Sequence, residues 1–470
     1  MPFLCTLLHR VDKISNILYD CSCAAAGMQS LILEGITLNI EKQFIKYVFQ
    51  NILGMLGISA YVLADTFFIA QSAGADGITA LNLVLPIYSL IFAIGSMIAA
   101  GSATRYKICR AQNTRDYQLY FPNAVFFAIL LSMGFVLAGI FIPDKILAFM
   151  GGDEEIIRTG TSYTRIFMLF APFFMLNYIF NAFVRNDNNP SLAMVATFSS
   201  SIFNIVMDYV LIFPCHMGMS GAALATALSP VVGISICSLH FFSGRNTIPL
   251  VFGRPSLKKL LSSCQLGVSA FVGEISSGVT TMVFNTLILG IAGNIGVAAY
   301  GVIANVAMVA VSIFNGISQG GQPLLSDAFG RNEIRSSHRL LRLSIITASA
   351  AAALMIFIFN VIPEPITAIF NRENNPEMTA YAVTGMRIYF SGLLFAGFNI
   401  VGTGYLSATA QAGWAFATSI LRGFAAIIVC ALILSRLFGM YGIWLTVPCA
   451  ELITAIVMVF AIVRNFKKSC

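Results

Sequence analysis

Stretches of about 20 mainly apolar residues recur along the chain near 44–70, 78–103, 119–142, 160–184, 191–213, 221–243, 265–292, 297–320, 341–362, 379–405, 413–435 and 442–463, and charged residues gather in the short connections between them. A helix rises about 1.5 Å per residue, so each stretch is long enough to cross a hydrocarbon layer of roughly 30 Å. The pattern predicts an all-α polytopic membrane protein with twelve transmembrane helices. With 58% hydrophobic and 10% charged residues and a mean hydropathy of +0.84, 470 residues hold too few polar groups to coat a soluble globule.

Charge orients the chain, because basic loops stay in the cytoplasm. One set of connections carries Arg105, Lys107, Arg110 and Arg115, then Arg245, Arg254, Lys258 and Lys259, then Arg331, Arg335, Arg339 and Arg342, and the tail adds Arg464, Lys467 and Lys468. The opposite connections carry only Lys145, Arg158, Arg372 and Arg436, together with the acids Asp153-Glu154-Glu155 and Glu373. Both termini are therefore expected in the cytoplasm, with the protein in the cell (inner) membrane. The net charge of +7 expresses this retention pattern and needs no nucleic-acid partner. Ten scattered cysteines, with only Cys21 and Cys23 closely spaced, read as small apolar residues rather than metal ligands or disulfides. The first 27 residues hold no uninterrupted apolar core and do not read as a cleaved signal, and Met28 offers an alternative start.

The chain repeats itself at an offset of about 220 residues, the mark of a duplication. Ile142-Pro143 meets Ile362-Pro363, Arg165-Ile166 meets Arg387-Ile388, and Asn177 meets Asn399. Gly218-Met219-Ser220-Gly221 meets Gly439-Met440-Tyr441-Gly442, and Asp65-Thr66 meets Asn285-Thr286. Six helices per copy give two lobes of like orientation, related by a pseudo-two-fold axis along the membrane normal. The expected organisation is a cytoplasmic segment 1–43, an N-lobe 44–243, a basic cytoplasmic linker 244–264, a C-lobe 265–463 and a cytoplasmic tail 464–470.

Several polar positions stand where the bilayer should exclude them. Asp65, the pair Asn204 and Asp208, and Thr226 occupy three different apolar segments, yet each lies roughly 5 to 6 residues from the same face, about 8 to 9 Å deep. A carboxylate at helix depth costs about 2.5 to 3.5 kcal/mol on insertion, so it implies a cavity, a partner or a proton. Asn204 and Asp208 are one helical turn apart and share a face. The carboxylates can hold a proton near neutral pH, or with the Asn204 carbonyl and the Thr226 hydroxyl can offer hard oxygen ligands to Na+. The repeat adds a control: Asp65 faces neutral Asn285 in the second copy, and the eleventh helix has no counterpart of Asp208. These acids therefore mark something that only the first lobe does. The second lobe has its own trio, Glu274, Arg422 and Glu451, each about 9 residues into a helix, which predicts either a buried ion-pair clamp or a second ligand site. Arg165 and Arg387 lie nearer the outer surface and are expected to snorkel or cap a loop. Pro86, Pro172 and Pro230 are candidate bending points.

The segment from Asp65 to Pro86 (DTFFIAQSAGADGITALNLVLP), then Asn204-Ile205-Val206-Met207-Asp208, then GMSGAALAT ending at Thr226, resembles the multidrug and toxic compound extrusion (MATE) family, in its DinF-like and MepA-like branch. The resemblance runs from about residue 40 to the end. It implies that Asp65, Asn204, Asp208 and Thr226 form an N-lobe cation site, and that H+, favoured over Na+, drives export of organic, often cationic, compounds. Some members also couple through a Glu on the seventh helix and an acid on the tenth. Here Glu274 comes early after Leu266-Gly267 and the tenth helix has no acid, so the C-lobe pattern is not met. The implied machine is a monomeric antiporter in the lipid bilayer, with a small organic substrate, no ATP and no cofactor beyond the coupling ion. Two alternatives remain: a lipid-linked precursor flippase, for which extra helices and a strongly basic cavity are expected, and a membrane-embedded transferase. The transferase needs clustered acids or histidines, whereas His9, His216, His240 and His338 are dispersed.

Overall fold

The computed structural model describes residues 40–466, apart from 75, 76, 78, 245, 252 and 372–374. Arg245, Arg372, Glu373, Lys467, Lys468 and everything noted before residue 40, including His9, Cys21, Cys23 and Met28, lie outside the described residues. The chain divides into a unit up to Lys46 and one from Tyr47 onward, and the account below concerns the second. Among the described residues there is no strand.

Nine of the helices are long and apolar enough to span a membrane, among the described residues; a bent pair, Glu154–Leu169 with Ala171–Asn186, makes a tenth. Left-handed glycines at 293 and 439 each divide one long helix in two, which brings the spans to twelve. In chain order these are α1 Ile40–Gly74, α2 Thr79–Ala111, α3 Arg115–Phe141, α4 (the bent pair), α5 Pro190–Ile212, α6 Gly218–Phe242, α7 257–292, α8 294–330, α9 Ile334–Val361, α10 Pro376–Ala408, α11 412–438 and α12 440–466. Helix α7 begins at Leu257, eight residues before the apolar stretch does, because the Ser256 side chain caps it by accepting from the Lys259 amide. Of the three prolines, Pro172 opens the second half of α4 across a 46° bend, whereas Pro86 and Pro230 lie inside continuous helices.

Backbone geometry carries the duplication as well. Eight of the ten left-handed residues among those described form pairs, Gly74 with Gly293, Asn113 with Asn332, Asn188 with Ala410 and Gly218 with Gly439, while Gly151 and His216 stand alone. Each pair is separated by 219 to 222 positions, the offset at which the residues themselves align. These are the tight reversals between successive spans, where a positive φ turns the chain without a long loop. The closest crossings repeat too: a Cβ on Gly221 would press on the Leu211 carbonyl of α5, and one on Gly442 would overlap the Leu434 carbonyl of α11.

The two lobes meet over part of their length. Among the described residues, bonds and ion pairs between the lobes include Ser59–Ser312 (2.7 Å), Thr104–Gln322 (2.9 Å), Arg185–Gln319 (2.9 Å) and Lys107–Asp327 (3.6 Å), and the N-lobe also meets the linker and the start of α7 through Arg105 to the Ser262 carbonyl (3.3 Å), Asn123–Ser256 and Lys259–Asp116 (2.8 Å). All lie between mid-depth and the end that carries the basic loops. At the tightest point α2 crosses α7 through Gly101 and Gly267, and a Cβ on either would overlap a carbonyl of the other helix. The lobes are thus closed against each other at the basic-loop end, with a cavity of about 650 Å³ between them.

Candidate functional site

Three spans of the N-lobe converge on the acids singled out above. Asn204 and Asp208 on α5 are fully buried, and Thr226 on α6 is 6% exposed. Asn204 Nδ2 donates to Thr226 Oγ1 at 3.3 Å, so α5 and α6 are joined at the predicted level. Asp65 on α1 is half-buried and close enough to Asp208 for the two charges to interact. What these groups lack is as informative as what they touch. Both oxygens of Asp208, Oδ1 of Asp65 and Oδ1 of Asn204 are enclosed, and no donor lies within hydrogen-bond reach of any of them. A buried acceptor left unpaired costs about 1 to 3 kcal/mol, and more if charged, so four such oxygens on neighbouring spans are an arrangement that can take up a proton or a cation.

Three tyrosines lie near the acids, and spacing could have found the first of them. Tyr61 stands one turn before Asp65 on α1; the charges of Asp65, Glu274 and Asp208 all act on its hydroxyl, and it also lines the central cavity. Tyr88 on α2 and Tyr163 on α4 share a hydroxyl–hydroxyl hydrogen bond and lie within electrostatic reach of Asp65. Tyr61 thus lies between the N-lobe acids and the cavity between the lobes.

The structure divides the C-lobe trio, pairing Arg422 with Glu451 and leaving Glu274 apart. Arg422 Nε donates to Glu451 Oε1 at 2.7 Å, and Asn399 Nδ2 donates to Glu451 Oε2 at 2.7 Å and to its carbonyl at 2.8 Å. Glu274 stands apart from this cluster: on the wall of α7 it lines the same cavity and makes no hydrogen bond or ion pair among the described residues. Arg422 sits in a one-turn π-helix, Leu421–Ala425, an irregularity often found at functional positions. Asn399 was visible in the sequence only as the repeat partner of Asn177. Its role as the third member depends on α10 packing against α12. Arg165 is exposed, and Arg387 makes only an exposed pair with Glu364 at 3.5 Å, as expected for snorkelling side chains.

The cavity itself is mixed in character. Phe92, Phe174 and Tyr178 form an aromatic wall, while Gln50, Asn181 and Gln319 stand toward its basic-loop end. A volume of about 650 Å³ falls in the range of about 300 to 1,000 Å³ that holds drug-sized molecules.

Comparison with known proteins follows the same lines. The chain matches the MatE family over residues 51–210 and 270–432, one segment in each lobe. It is 27% identical over 423 residues to the multidrug export protein MepA of Staphylococcus saprophyticus, covering 89% of this chain and 92% of that protein. The MepA of Staphylococcus haemolyticus is 26% identical over 430 residues, covering 90% and 93%. Among solved structures, a MOP superfamily transporter from Pyrococcus furiosus superposes with a TM-score of 0.85 at 18% identity, covering 92% of this chain and 96% of that one. The Vibrio cholerae MATE transporter VcmN superposes with a TM-score of 0.83 at 18% identity, covering 92% and 98%. The structural likenesses establish the twelve-helix, two-lobe fold; with a family match that spans both lobes, the chain belongs to the MATE family of membrane transporters, in its MepA-like branch.

Proposed function

We propose that this protein is a secondary active efflux antiporter that exports organic, mainly cationic, compounds in exchange for H+, with Na+ as the alternative coupling ion. Asp65, Asn204, Asp208 and Thr226 hold the ion, and the cavity between the lobes holds the substrate. The observation that carries this reading is the set of enclosed, donor-free oxygens on Asp65, Asn204 and Asp208, present in the lobe that has the acids and without a carboxylate counterpart in the repeat. The relatives named as multidrug export proteins support export of organic compounds.

Coupling requires that the ion bind the two conformations unequally, since a ligand with equal affinity for both shifts nothing. In this reading the lobes 44–243 and 265–463 rock about the linker 244–264, and both termini are cytoplasmic. Closure at the basic-loop end then makes the present conformation outward-facing. Ion uptake from outside supplies the missing partners of Asp208 and Asp65, deforms α1 through Tyr61, and weakens the substrate site; release to the cytoplasm reverses the change.

The test is efflux of ethidium from proteoliposomes under imposed H+ or Na+ gradients, comparing wild type with Asp208→Asn. Wild type is expected to move dye under the H+ gradient alone, and the variant to be folded but uncoupled, at least tenfold slower. Full gradient-driven transport by the variant would remove Asp208 from the coupling site. Transport driven only by Na+ would assign the same site to the metal ion.

A further inference from the structure

The connection between α6 and α7, residues 243–256, is held along the outside of the N-lobe. The Thr247 amide donates to Asp187 Oδ2 at 2.7 Å, Ile248 is buried, and Gly253 packs on the Leu119 side chain of α3. The Ser256 amide donates to Asn123 Oδ1 at 2.7 Å, and Asn123 Nδ2 donates back to the Ser256 carbonyl at 3.3 Å. Helix α7 continues the contact, with Lys259 paired to Asp116 at 2.8 Å and set over the Tyr120 ring. These contacts fix a depth. The 27 residues of α3 make a rod about 40 Å long against a hydrocarbon layer of about 30 Å, so about three residues project into the headgroups at each end. Leu119 therefore stands at the border between headgroups and acyl chains, and the connection lies along that border. Its apolar side chains point away from the protein: Leu250 is 63% exposed, and on α7 Leu257 (60%) and Leu261 (55%) are one turn apart and share a face. The basic side chains beside them are free as well. Arg115 at the start of α3, Arg254 and Lys258 are exposed, and none pairs with a carboxylate among the described residues; Asp116, the acid beside Arg115, is taken by Lys259.

We propose that this connection, with the start of α3 and the first turns of α7, is a docking surface for an anionic phospholipid of the leaflet at the basic-loop end. Arg115, Arg254 and Lys258 take the phosphate-bearing headgroup, and Leu250, Leu257 and Leu261 lie along the acyl chains. Retention of a loop on one side of the membrane requires only its charge; cations at headgroup level beside leucines at acyl depth match both parts of an anionic lipid. The leucines also assign the occupant, because a free phosphate ion gains nothing from them. The surface joins two parts of the molecule, since Arg115 belongs to the N-lobe and Lys258 to the helix that enters the C-lobe. A bound lipid therefore strengthens the seam between α3 and α7. The inference requires only that the chain spans a bilayer, and it is independent of which ion or compound is carried.

Two lipids with identical acyl chains, phosphatidylglycerol and phosphatidylcholine, test it. Binding of the first lipid molecule to the purified full-length protein is measured for each by native mass spectrometry from a non-ionic detergent, and thermal melting in the same detergent verifies that every variant is folded. Wild type is expected to bind phosphatidylglycerol about fivefold or more tighter than phosphatidylcholine. The combined change Arg115→Gln, Arg254→Gln and Lys258→Gln is expected to bring the two lipids to within about twofold of each other. An equal loss of charge elsewhere, Arg335→Gln, Arg342→Gln and Arg436→Gln, is expected to leave the preference in place. Leu250→Ser with Leu257→Ser, which keeps the cations, is expected to weaken phosphatidylglycerol about threefold or more. Equal binding of the two lipids by wild type, a preference that survives the first triple change, or one lost equally in the second would each overturn the proposal, the last by making it an effect of net charge. Displacement of phosphatidylglycerol by inorganic phosphate, or no effect of the leucine changes, would overturn the assignment to a lipid.

Discussion

At the scale of single residues, Asp187 is the most heavily bonded acid among the described residues. It follows α4 directly and is fully enclosed. Oδ1 accepts from Tyr106 (2.9 Å), Arg110 and the Thr247 hydroxyl, and Oδ2 accepts from His240 (2.8 Å) and the Thr247 amide (2.7 Å). Burial alone would raise this carboxyl, but hydrogen bonds from Thr247, His240 and Tyr106 outweigh it and hold the group below the usual carboxylate range. The contrast with Asp208 is instructive: one buried acid is saturated with donors and the other has none, which separates a structural carboxylate from a candidate ion-binding one. Asp187→Asn is expected to lower stability by about 3 to 5 kcal/mol, because Arg110 loses its counter-charge and one of the two acceptor oxygens becomes an amide donor facing other donors; thermal unfolding in detergent measures it. A depressed folded-state value means that the stabilisation is present above the unfolded value of about 3.9 and is lost as pH falls through the lower folded one. Wild type should therefore lose melting temperature on acidification below about pH 4, and the variant should lack this component of the loss.

At the scale of elements, the C-lobe pair fastens the π-turn of α11 to α12. Arg422 is about a quarter exposed, whereas Glu451 is 5% exposed at the side chain, so removing the acid leaves a cation facing an apolar lobe. Glu451→Gln is expected to cost about 3 kcal/mol or more, while a double replacement, Arg422→Met with Glu451→Met, should recover most of the loss. Melting temperatures of the two variants distinguish these outcomes. Dye transport by the double variant then separates the roles: recovered stability with lost transport assigns the pair to the transport cycle, and recovery of both makes it a clamp. The π-turn itself was not legible in the sequence. It depends on how α11 fits its neighbours, and Gly423 within it lies where a Cβ would meet the Ser276 side chain of α7.

At the scale of the whole molecule, the conformation rests on how closely α2 and α7 approach. Gly101 and Gly267 let the two backbones touch, and the contact belongs to the conformation closed at the basic-loop end. Gly267→Ala is expected to disfavour that conformation and populate the opposite one, because a methyl group at this position overlaps the Met97 carbonyl. Spin-label distances between the basic-loop ends of α2 and α8 should lengthen in the variant relative to wild type. An unchanged distance distribution would show that the helices slide apart enough to absorb the methyl group.

The sequence by itself determined the solvent, the number of spans and the duplication, because each is written in local pattern: apolar length, charge in the loops, and residues recurring about 220 positions apart. It also picked out Asp65, Asn204, Asp208 and Thr226, since a carboxylate at bilayer depth is costly wherever the chain folds. Only the tertiary structure decided which polar groups have partners. Asp187 lies between two apolar segments and Asp208 inside one, and nothing local reveals that five donors converge on the first and none on the second. Arg185 reads in sequence as the basic end of an apolar stretch. Its position at the base of the cavity, bonded to both lobes through Asn51 and Gln319, arises from the packing of α1, α4 and α8. The division has a physical cause: transfer from water to lipid acts on each residue according to its own chemistry, whereas the satisfaction of a buried polar group depends on atoms brought from distant parts of the chain.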